Sequence, residues 1–357
     1  MTTVAQFDIT YTQLLNEHGK LVGKLPKFAE DNTALKELYK VMVLTRTFDR
    51  KAIALQRTGK MGTYAPINGQ EAISTAIGHA MLPDDVFVPY YRDYAAQLQR
   101  GVKMSEILAY WGGDERGSQF QCGSEDLPIC VPIASQCLHA AGVAFAFQYR
   151  NQPRVAVVCI GEGGTSEGDF YEAMNAAGTW KLPVVFVVNN NQWAISVPRD
   201  KQTGTETIAQ KAIAAGFKGL QVDGNDILAT RQIIGEAIEN ARKGLGPTLI
   251  EAVTFRLCDH TTADDASRYQ PSKDVDEAKS KEPISRFKHF LIGQNIWTPE
   301  DEEQLVIDCS KKVEEAVDEY LNSTPQPTSS MFDYHYAELP DYLVEQRAIA
   351  MEESAHA

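Results

Sequence analysis

The chain has 357 residues, 43% hydrophobic and 23% charged, which is typical of a globular protein with a sizeable core. Its 34 Lys and Arg against 48 Asp and Glu give a net charge of −14, which argues against nucleic acid or an anionic membrane as the main partner. Six cysteines are too dilute for a disulfide scaffold, and no apolar run approaches the roughly 20 residues that span a bilayer, so we expect a cytoplasmic protein without a membrane span.

Residues 1–32 show no sustained hydrophobic period and are predicted to form an N-terminal extension. In residues 33–59 the apolar positions recur at helical spacing, which predicts one long helix that ends at Gly59. From Val86 onward, short β-branched runs alternate with helical patterns. The predicted strands are 86–90, 154–160, 183–189, 218–224 and 247–255. This alternation predicts an α/β fold with a mostly parallel sheet, helices on both faces, and sites at the carboxyl ends of its strands.

The second half of the chain holds two segments without a clear pattern. Residues 256–282 are polar and are predicted to form a mobile loop that a bound anion and Arg268 tie down. Residues 324–330, TPQPTSS, read as a linker. We therefore predict one domain over 33–323, followed by a linker and C-terminal tail over 324–357.

The stretch IGEGGTSEGDF, residues 160–170, links a predicted strand to a predicted helix and allows three interpretations. Its glycines suggest a phosphate-binding turn, but the dinucleotide fingerprint G-x-G-x-x-G fails because Ser166 replaces the third glycine. Gly164, Ser166 and Gly168 fit the G-x-S-x-G nucleophile elbow. Glu162, between two glycines, fits a metal ligand.

The nucleophile elbow makes a serine hydrolase an open alternative. Asp223 or Asp226, and then His260, follow Ser166 in the chain order that α/β-hydrolases use. Against this hypothesis, the predicted strand ends at Ile160, well before the serine, and no glycine-rich oxyanion motif precedes it. A binding scaffold without catalysis is the third class of function that stays open.

A second group of residues supports the metal site. Between Gly161-Glu162-Gly163 and Asn190-Asn191 lie 26 residues, and the asparagines follow the next predicted strand. Because successive strands of a right-handed strand-helix-strand unit are neighbours, we expect Glu162 and Asn191 to meet. Their oxygens suit Mg²⁺ that also binds phosphate, and the helix predicted to begin near Ser166 directs N–H groups at the same anion. A diphosphate fits this site.

GEG, 26 residues and NN resemble the thiamine diphosphate motif, and this region is similar to the alpha subunit of the decarboxylating first component of 2-oxo acid dehydrogenase complexes. The resemblance runs from residue 33 to about residue 320. It includes GQEA at 69–72, YYRD at 90–93, PIASQ at 132–136 and DHTTADDASRY at 259–269. It implies a thiamine diphosphate-binding fold and oxidative decarboxylation of a 2-oxo acid, with acyl transfer to the lipoyl group of an acyltransferase component.

The resemblance also implies site residues and partners. Mg²⁺ is expected at Glu162, Asn191 and the carbonyl of Trp193. The diphosphate is expected to contact Tyr91, Arg92, Gly163 and His260, and the aminopyrimidine the backbone of Ile133. Gly164 is also expected to bind the cofactor, and His260 is also the expected catalytic residue. A beta subunit is expected to complete the site in a heterotetramer of two alpha and two beta chains.

Several positions bear on the substrate and on the details of the site. Glu162 stands where much of the wider family has Asp, and Asn189 where branched-chain members carry a basic residue. Gln70 in GQEA resembles pyruvate enzymes, whereas GEG and DHTTADDASRY resemble branched-chain enzymes. Pyruvate is therefore the favoured substrate and 3-methyl-2-oxobutanoate the alternative. His139, in the small-residue helix 133–147, is expected to be a packed histidine.

Overall fold

A computed structural model describes residues 1–123 and 125–356 of the chain. Its strands are β1 (Tyr11–Thr12), β2 (Val86–Val88), β3 (Ala156–Gly161), β4 (Val184–Asn190), β5 (Trp193–Ala194), β6 (Val197–Pro198), β7 (Lys218–Asp223) and β8 (Thr248–Val253). Its helices are α1 (Asn32–Arg57), α2 (Glu71–Ala80), α3 (Tyr94–Gln99), α4 (Met104–Trp111), α5 (Ser135–Tyr149), α6 (Gly168–Trp180), α7 (Arg199–Gln202), α8 (Lys211–Ala214), α9 (Ile227–Arg242), α10 (Ser272–Lys279), α11 (Pro283–Gly293), α12 (Pro299–Leu321), α13 (Ser330–Asp333) and α14 (Asp341–His356).

Six strands form one parallel sheet in the order β1-β7-β8-β4-β3-β2, and β5 and β6 form a separate small hairpin. All five predicted strands lie in the large sheet, so the predicted α/β class is confirmed. β1 comes from the predicted N-terminal extension and pairs with β7 at the sheet edge. The domain boundary at residue 32 stays a prediction.

Helices cover both faces of the sheet because alternate residues of each strand point to opposite sides. Val157 and Val185 belong to a core that includes residues of α1, α2, α9 and α11. Their chain neighbours Val158 and Phe186 belong to a second core that includes residues of α5 and α6. Four of the small residues of α5 or its cap are buried in this second core, namely Ala134, Ala140, Ala141 and Ala144. These four back the sheet.

The structure corrects three local predictions. α1 ends at Arg57 rather than Gly59, and α6 begins at Gly168 because residues Glu162–Ser166 form a 3-10 turn. The predicted loop 256–282 contains α10 and a short 3-10 turn, Ala266–Arg268. No residue of α10 is buried, so this helix leaves no apolar period in the sequence that could reveal it. Within the described residues, no helix has the length and apolar character that crossing a membrane requires.

Candidate functional site

A cavity of about 600 Å³ opens where β3 and β4 end, a volume typical of sites for small ligands. The parallel strands β3 and β4 are paired up to Gly161 and Asn189, so the segments that follow them meet at one edge of the sheet. All nine predicted site residues line the cavity: Tyr91, Arg92, Ile133, Glu162, Gly163, Gly164, Asn191, Trp193 and His260.

Glu162 is the only carboxylate in the predicted metal site, and it is 1% exposed. Its Oε2 accepts a hydrogen bond of 3.2 Å from the backbone N–H of Asn191, while its Oε1 has no hydrogen-bond partner among the described residues. Burial raises the pKa of Glu162 to about 7, although this hydrogen bond and Arg256 oppose the shift. A buried carboxyl oxygen without a partner is costly, and a bound cation offsets that cost.

Asn191 and Trp193 present the remaining oxygens. The Asn191 Oδ1 accepts from the Trp193 N–H at 3.1 Å, and the Asn191 Nδ2 donates to Gln70 Oε1 at 2.9 Å. The Trp193 carbonyl accepts from Arg256 at 3.4 Å. No cluster of three or more His, Cys, Asp or Glu side chains suited to a metal occurs among the residues that the structure describes. The donors here are instead one carboxylate, one amide and one carbonyl, a set that suits a hard cation sharing its ligand shell with a bound anion.

One buried arginine, Arg92, lines the cavity, and a second, Arg256, lies behind the lining and contacts the carbonyls of Trp193 and Ile195. Arg92 is 2% exposed and Arg256 is 0% exposed, and neither forms an ion pair with a carboxylate in the described part of the chain. The Arg92 Nε donates to the Pro66 carbonyl at 2.9 Å, and its Nη2 donates to the carbonyl of His260. A buried guanidinium without a carboxylate is costly unless an anion compensates for its charge. The arginines therefore make this end of the cavity suitable for a phosphate.

The two arginines also determine the state of His260. Its Nδ1 lies 3.1 Å from Arg92 Nη2 and 3.4 Å from Arg256 Nη1. Burial lowers the pKa of His260 to about 3, and the two guanidinium charges add to the shift. Because arginine can only donate, Nδ1 must accept, and the proton of the neutral ring lies on Nε2. His260 thus offers the cavity an N–H donor.

The glycines of the Glu162–Ser166 turn are required by close packing. A Cβ on Gly163 would lie 2.7 Å from the Cβ of Ala194, and one on Gly164 would lie 2.7 Å from Ile160 Cδ1. The Gly163 carbonyl accepts from the Nε2 of Gln202 on α7 at 2.6 Å. The turn therefore lies directly against the β5–β6 hairpin, which carries Trp193.

The rim of the cavity is apolar. Ile133 is 44% exposed and precedes Ala134, whose φ of 70° lies in the left-handed region. Ile195 is 55% exposed, also has a positive φ, and its carbonyl accepts from the Arg256 Nη2 at 2.9 Å. A β-branched residue at positive φ is strained, so the hairpin contacts hold Ile195 at the rim against an unfavourable backbone conformation.

Residues 39–329 match the model of the family described as Dehydrogenase E1 component. The chain belongs to this family. It is 39% identical to the pyruvate dehydrogenase E1 component subunit alpha of Mycoplasma genitalium over 341 residues, which cover 96% of this chain and 95% of that protein. It is also 39% identical to the protein of the same name from Staphylococcus aureus strain COL over 356 residues, 99% of this chain and 95% of that one. This E1 component is therefore an enzyme, an oxidoreductase of the 2-oxo acid dehydrogenase type, in a family that depends in general on thiamine diphosphate.

Ser166, His260 and the two candidate aspartates do not form the catalytic triad that the serine hydrolase alternative requires. Ser166 lines the cavity, but its Oγ accepts from Gln202 Nε2 at 2.8 Å. Asp226 caps α9 and accepts from N-terminal backbone groups, while Asp223 forms an ion pair with Arg286. With His260 directed at the two arginines, these groups do not form the chain of hydrogen bonds that activates a serine.

Three other residues lie apart from the cavity of the E1 component. His139 is exposed on α5, so its expected packing was wrong. Arg268 is exposed and does not hold the loop as expected. Arg256 contacts the start of the loop instead, where its Nε donates to the Cys258 carbonyl at 3.1 Å. Asn189 is buried, donates to the Tyr90 hydroxyl at 2.8 Å, and is not among the residues that line the cavity.

Three residues that hold this site together were not predicted from the sequence: Gln70, Gln202 and Arg256. Arg256 follows β8 as Asn191 follows β4, so the rule that sites lie at strand ends could have found it. Gln70 lies in the GQEA motif, which indicates the choice of substrate but not the contact of Gln70 with Asn191. Gln202 lies on the four-residue helix α7, and no sequence pattern indicates its contact with the turn.

Proposed function

We propose that the chain is the alpha subunit of a pyruvate dehydrogenase and that its cavity holds the diphosphate of thiamine diphosphate with Mg²⁺. One observation carries this proposal: the cavity places Arg92, a buried arginine without a carboxylate partner, together with a buried carboxyl oxygen, Glu162 Oε1, that has no partner among the described residues. A second such arginine, Arg256, lies behind the lining and contacts the Trp193 carbonyl. Uncompensated cations beside an available carboxylate fit an anion bound together with a cation.

The residues divide between the two ions. Glu162, the Asn191 amide oxygen and the Trp193 carbonyl are the proposed Mg²⁺ ligands, with phosphate oxygens and water completing the shell. Arg92, Tyr91, the Nε2–H of His260 and the backbone at Gly163 and Gly164 are the proposed contacts of the diphosphate. Bound there, thiamine diphosphate would supply the carbanion and the electron sink for decarboxylation, whereas the residues of the chain would orient the cofactor and provide the charges around it.

His260 is the proposed catalytic residue, as a donor. Its neutral ring, fixed by two arginines, gives an N–H at Nε2 whose protonation does not change near neutral pH. Such a donor stabilises negative charge through a positioned hydrogen bond. The role proposed for His260 is therefore orientation and stabilisation of an anion, and general base catalysis is not required of it.

We further propose that a beta subunit completes the site in a heterotetramer that passes the acyl group to a lipoyl-bearing acyltransferase, in the cytoplasm. Leu138, Phe145 and Tyr149 are exposed at spacings of seven and four residues along α5, and Trp180 is exposed beside Phe145, 5.5 Å away between ring centroids. Ile133, two residues before α5, and Ile195 are also exposed and line the cavity. An apolar face of this kind on a charged chain is typical of an obligate interface.

The test is reconstituted turnover. The chain alone and the chain co-expressed with its beta partner are assayed for decarboxylation of pyruvate and of 3-methyl-2-oxobutanoate with an artificial electron acceptor. We expect no activity from the chain alone and, from the complex, a higher kcat/KM for pyruvate. Full activity of the isolated chain would overturn the proposal that a beta subunit completes the site. A preference of more than about tenfold for the branched acid, the lower end of the roughly 10- to 200-fold discrimination that one methylene gives in a hydrophobic pocket, would establish the alternative substrate.

A further inference from the structure

Gln70 is buried, 0% exposed, and its side chain contacts a proposed metal ligand. Its Oε1 accepts from the Asn191 Nδ2 at 2.9 Å, while its Nε2 has no partner among the described residues. An amide side chain has one end that can bind a metal and one that cannot, and the two ends are nearly the same size. The group that accepts a hydrogen bond from the Asn191 Nδ2 therefore influences which end of the amide faces the metal.

The turn that carries Gln70 is rigid for reasons visible in its backbone. Gly69 has a φ of +93°, and a Cβ there would lie 2.6 Å from the Phe255 carbonyl oxygen, so only glycine fits. The Gly69 carbonyl accepts from the Thr254 Oγ1 at 2.8 Å, and its N–H donates to Glu71 Oε2 at 3.0 Å. The turn is thus tied both to the end of β8 and to the start of α2.

Glu71 connects this turn to the helices. Its Oε1 accepts from the Arg46 Nε at 2.6 Å, and Arg46 also pairs with Glu282 at 2.9 Å. Glu71 is fully buried, and Arg46 and Glu282 are largely buried, so water screens these pairs little. The network holds Gln70 in place from α1 and from the residue that caps α11.

We propose that Gln70 is a positioning residue of the metal site: by accepting from the Asn191 Nδ2, it keeps the Asn191 Oδ1 directed at the cation. The Trp193 N–H, which donates to the same Oδ1 at 3.1 Å, acts in the same sense. The two contacts together leave one orientation of the amide in which every hydrogen bond is made. This inference rests on the proposed Mg²⁺ and diphosphate site.

The test is a double-mutant cycle in the complex with the beta partner, measured as Mg²⁺ affinity by calorimetry at saturating thiamine diphosphate and as Mn²⁺ affinity by electron paramagnetic resonance. Gln70→Leu removes the acceptor and should weaken metal affinity about 10- to 100-fold, as losses of a ligand's hydrogen-bond partner do. A carboxylate presents an oxygen in either orientation, so in an Asn191→Asp background the same Gln70→Leu change should cost less than about threefold. Gln70→Glu, which retains the acceptor, should recover most of the affinity that Gln70→Leu loses.

Equal losses of metal affinity for Gln70→Leu in the Asn191 and Asn191→Asp backgrounds would overturn the positioning role. A purely structural effect of Gln70→Leu would be the same whether residue 191 carries an amide with one oxygen or a carboxylate with two. Metal affinity unchanged by Gln70→Leu would overturn it as well. If the unsubstituted complex itself binds neither Mg²⁺ nor Mn²⁺ with thiamine diphosphate, the proposed function has failed, and that result is distinct from both outcomes.

Discussion

Replacing Gly163 by alanine tests the packing of the glycine turn against the hairpin. The added Cβ would lie 2.7 Å from the Cβ of Ala194, whereas ordinary contacts between such atoms are longer than 3.4 Å, so one segment must shift by about 0.7 Å or more. Both atoms are attached directly to the backbone, so no rotamer change relieves the overlap. The shift moves either Gly163 or the hairpin that carries Trp193.

The magnitude follows from the cost of overpacking. Extra carbon atoms in a packed interior cost about 1 to 3 kcal/mol. If that strain opposes the geometry that binds the cofactor, affinity for thiamine diphosphate with Mg²⁺ falls by about 5- to 150-fold, since 1.4 kcal/mol is tenfold. The assay is calorimetric titration of the complex with its beta partner, with thermal unfolding measured in parallel.

Gly168→Ala is the matched control. Gly168 begins α6 in the same glycine-rich stretch, and a Cβ there meets nothing within 4 Å. Alanine favours a helix over glycine by up to about 1 kcal/mol, so this variant should keep its cofactor affinity and be slightly more stable. Equal affinity losses for the two variants, or no loss for Gly163→Ala, would contradict a role of the close packing at Gly163 in cofactor binding.

Three further predictions concern single side chains. His260→Ala should weaken cofactor binding about tenfold or more because a donor to an anion is lost, whereas His260→Gln should retain part of the affinity. The pKa of His260 is lowered to about 3, so His260 should not make cofactor binding vary between pH 6 and pH 8. A change in affinity in that range that disappears in His260→Ala, measured by titration at each pH, would contradict the neutral donor. Ser166→Ala should change turnover less than about tenfold, far below the loss of a true nucleophile, and a fluorophosphonate probe should leave Ser166 unlabelled. Burial, and to a smaller extent the charge of Arg199, lowers the pKa of Lys211 from 10.5 to about 8. Between these two pH values the unfolded chain binds more protons than the folded chain, so the contribution of Lys211 to the free energy of unfolding rises with pH. Denaturant unfolding from pH 7 to pH 10 should therefore show the wild type gaining stability relative to Lys211→Met above pH 8, and a constant difference would contradict this.

The sheet and the convergence of the site could be predicted because both follow from simple rules. Buried parallel strands read as short β-branched runs, and β3 and β4 were evident for this reason. Once those strands are neighbours, the segments after them must meet, which brought Glu162 and Asn191 together without any knowledge of side-chain positions. The residue pattern alone left a serine hydrolase open, and the positions of His260 and Asp226 were needed to remove it.

The features that could not be predicted depend on contacts between distant parts of the chain. β1 is a two-residue strand whose pairing with β7 depends on the sheet edge being present, and α10 is an eight-residue helix in which no residue is buried. Gln70 lies 121 positions from Asn191 along the chain, and nothing local to either residue indicates their hydrogen bond. The burial of Arg92 and Arg256 without carboxylate partners is equally invisible in sequence, because it depends on which distant residues pack around each guanidinium.

The central claim is that the cavity at the ends of β3 and β4 holds diphosphate and Mg²⁺ together. The most direct measurement is calorimetric titration of thiamine diphosphate into the complex with its beta partner, with Mg²⁺ and with a chelator, for the unsubstituted chain and for Glu162→Gln. We expect one cofactor bound per alpha chain, strict dependence on Mg²⁺, and at least about tenfold weaker binding for Glu162→Gln, since one ligand of the cation is lost. Binding that is equally tight with the chelator, or unaltered in Glu162→Gln, would contradict it.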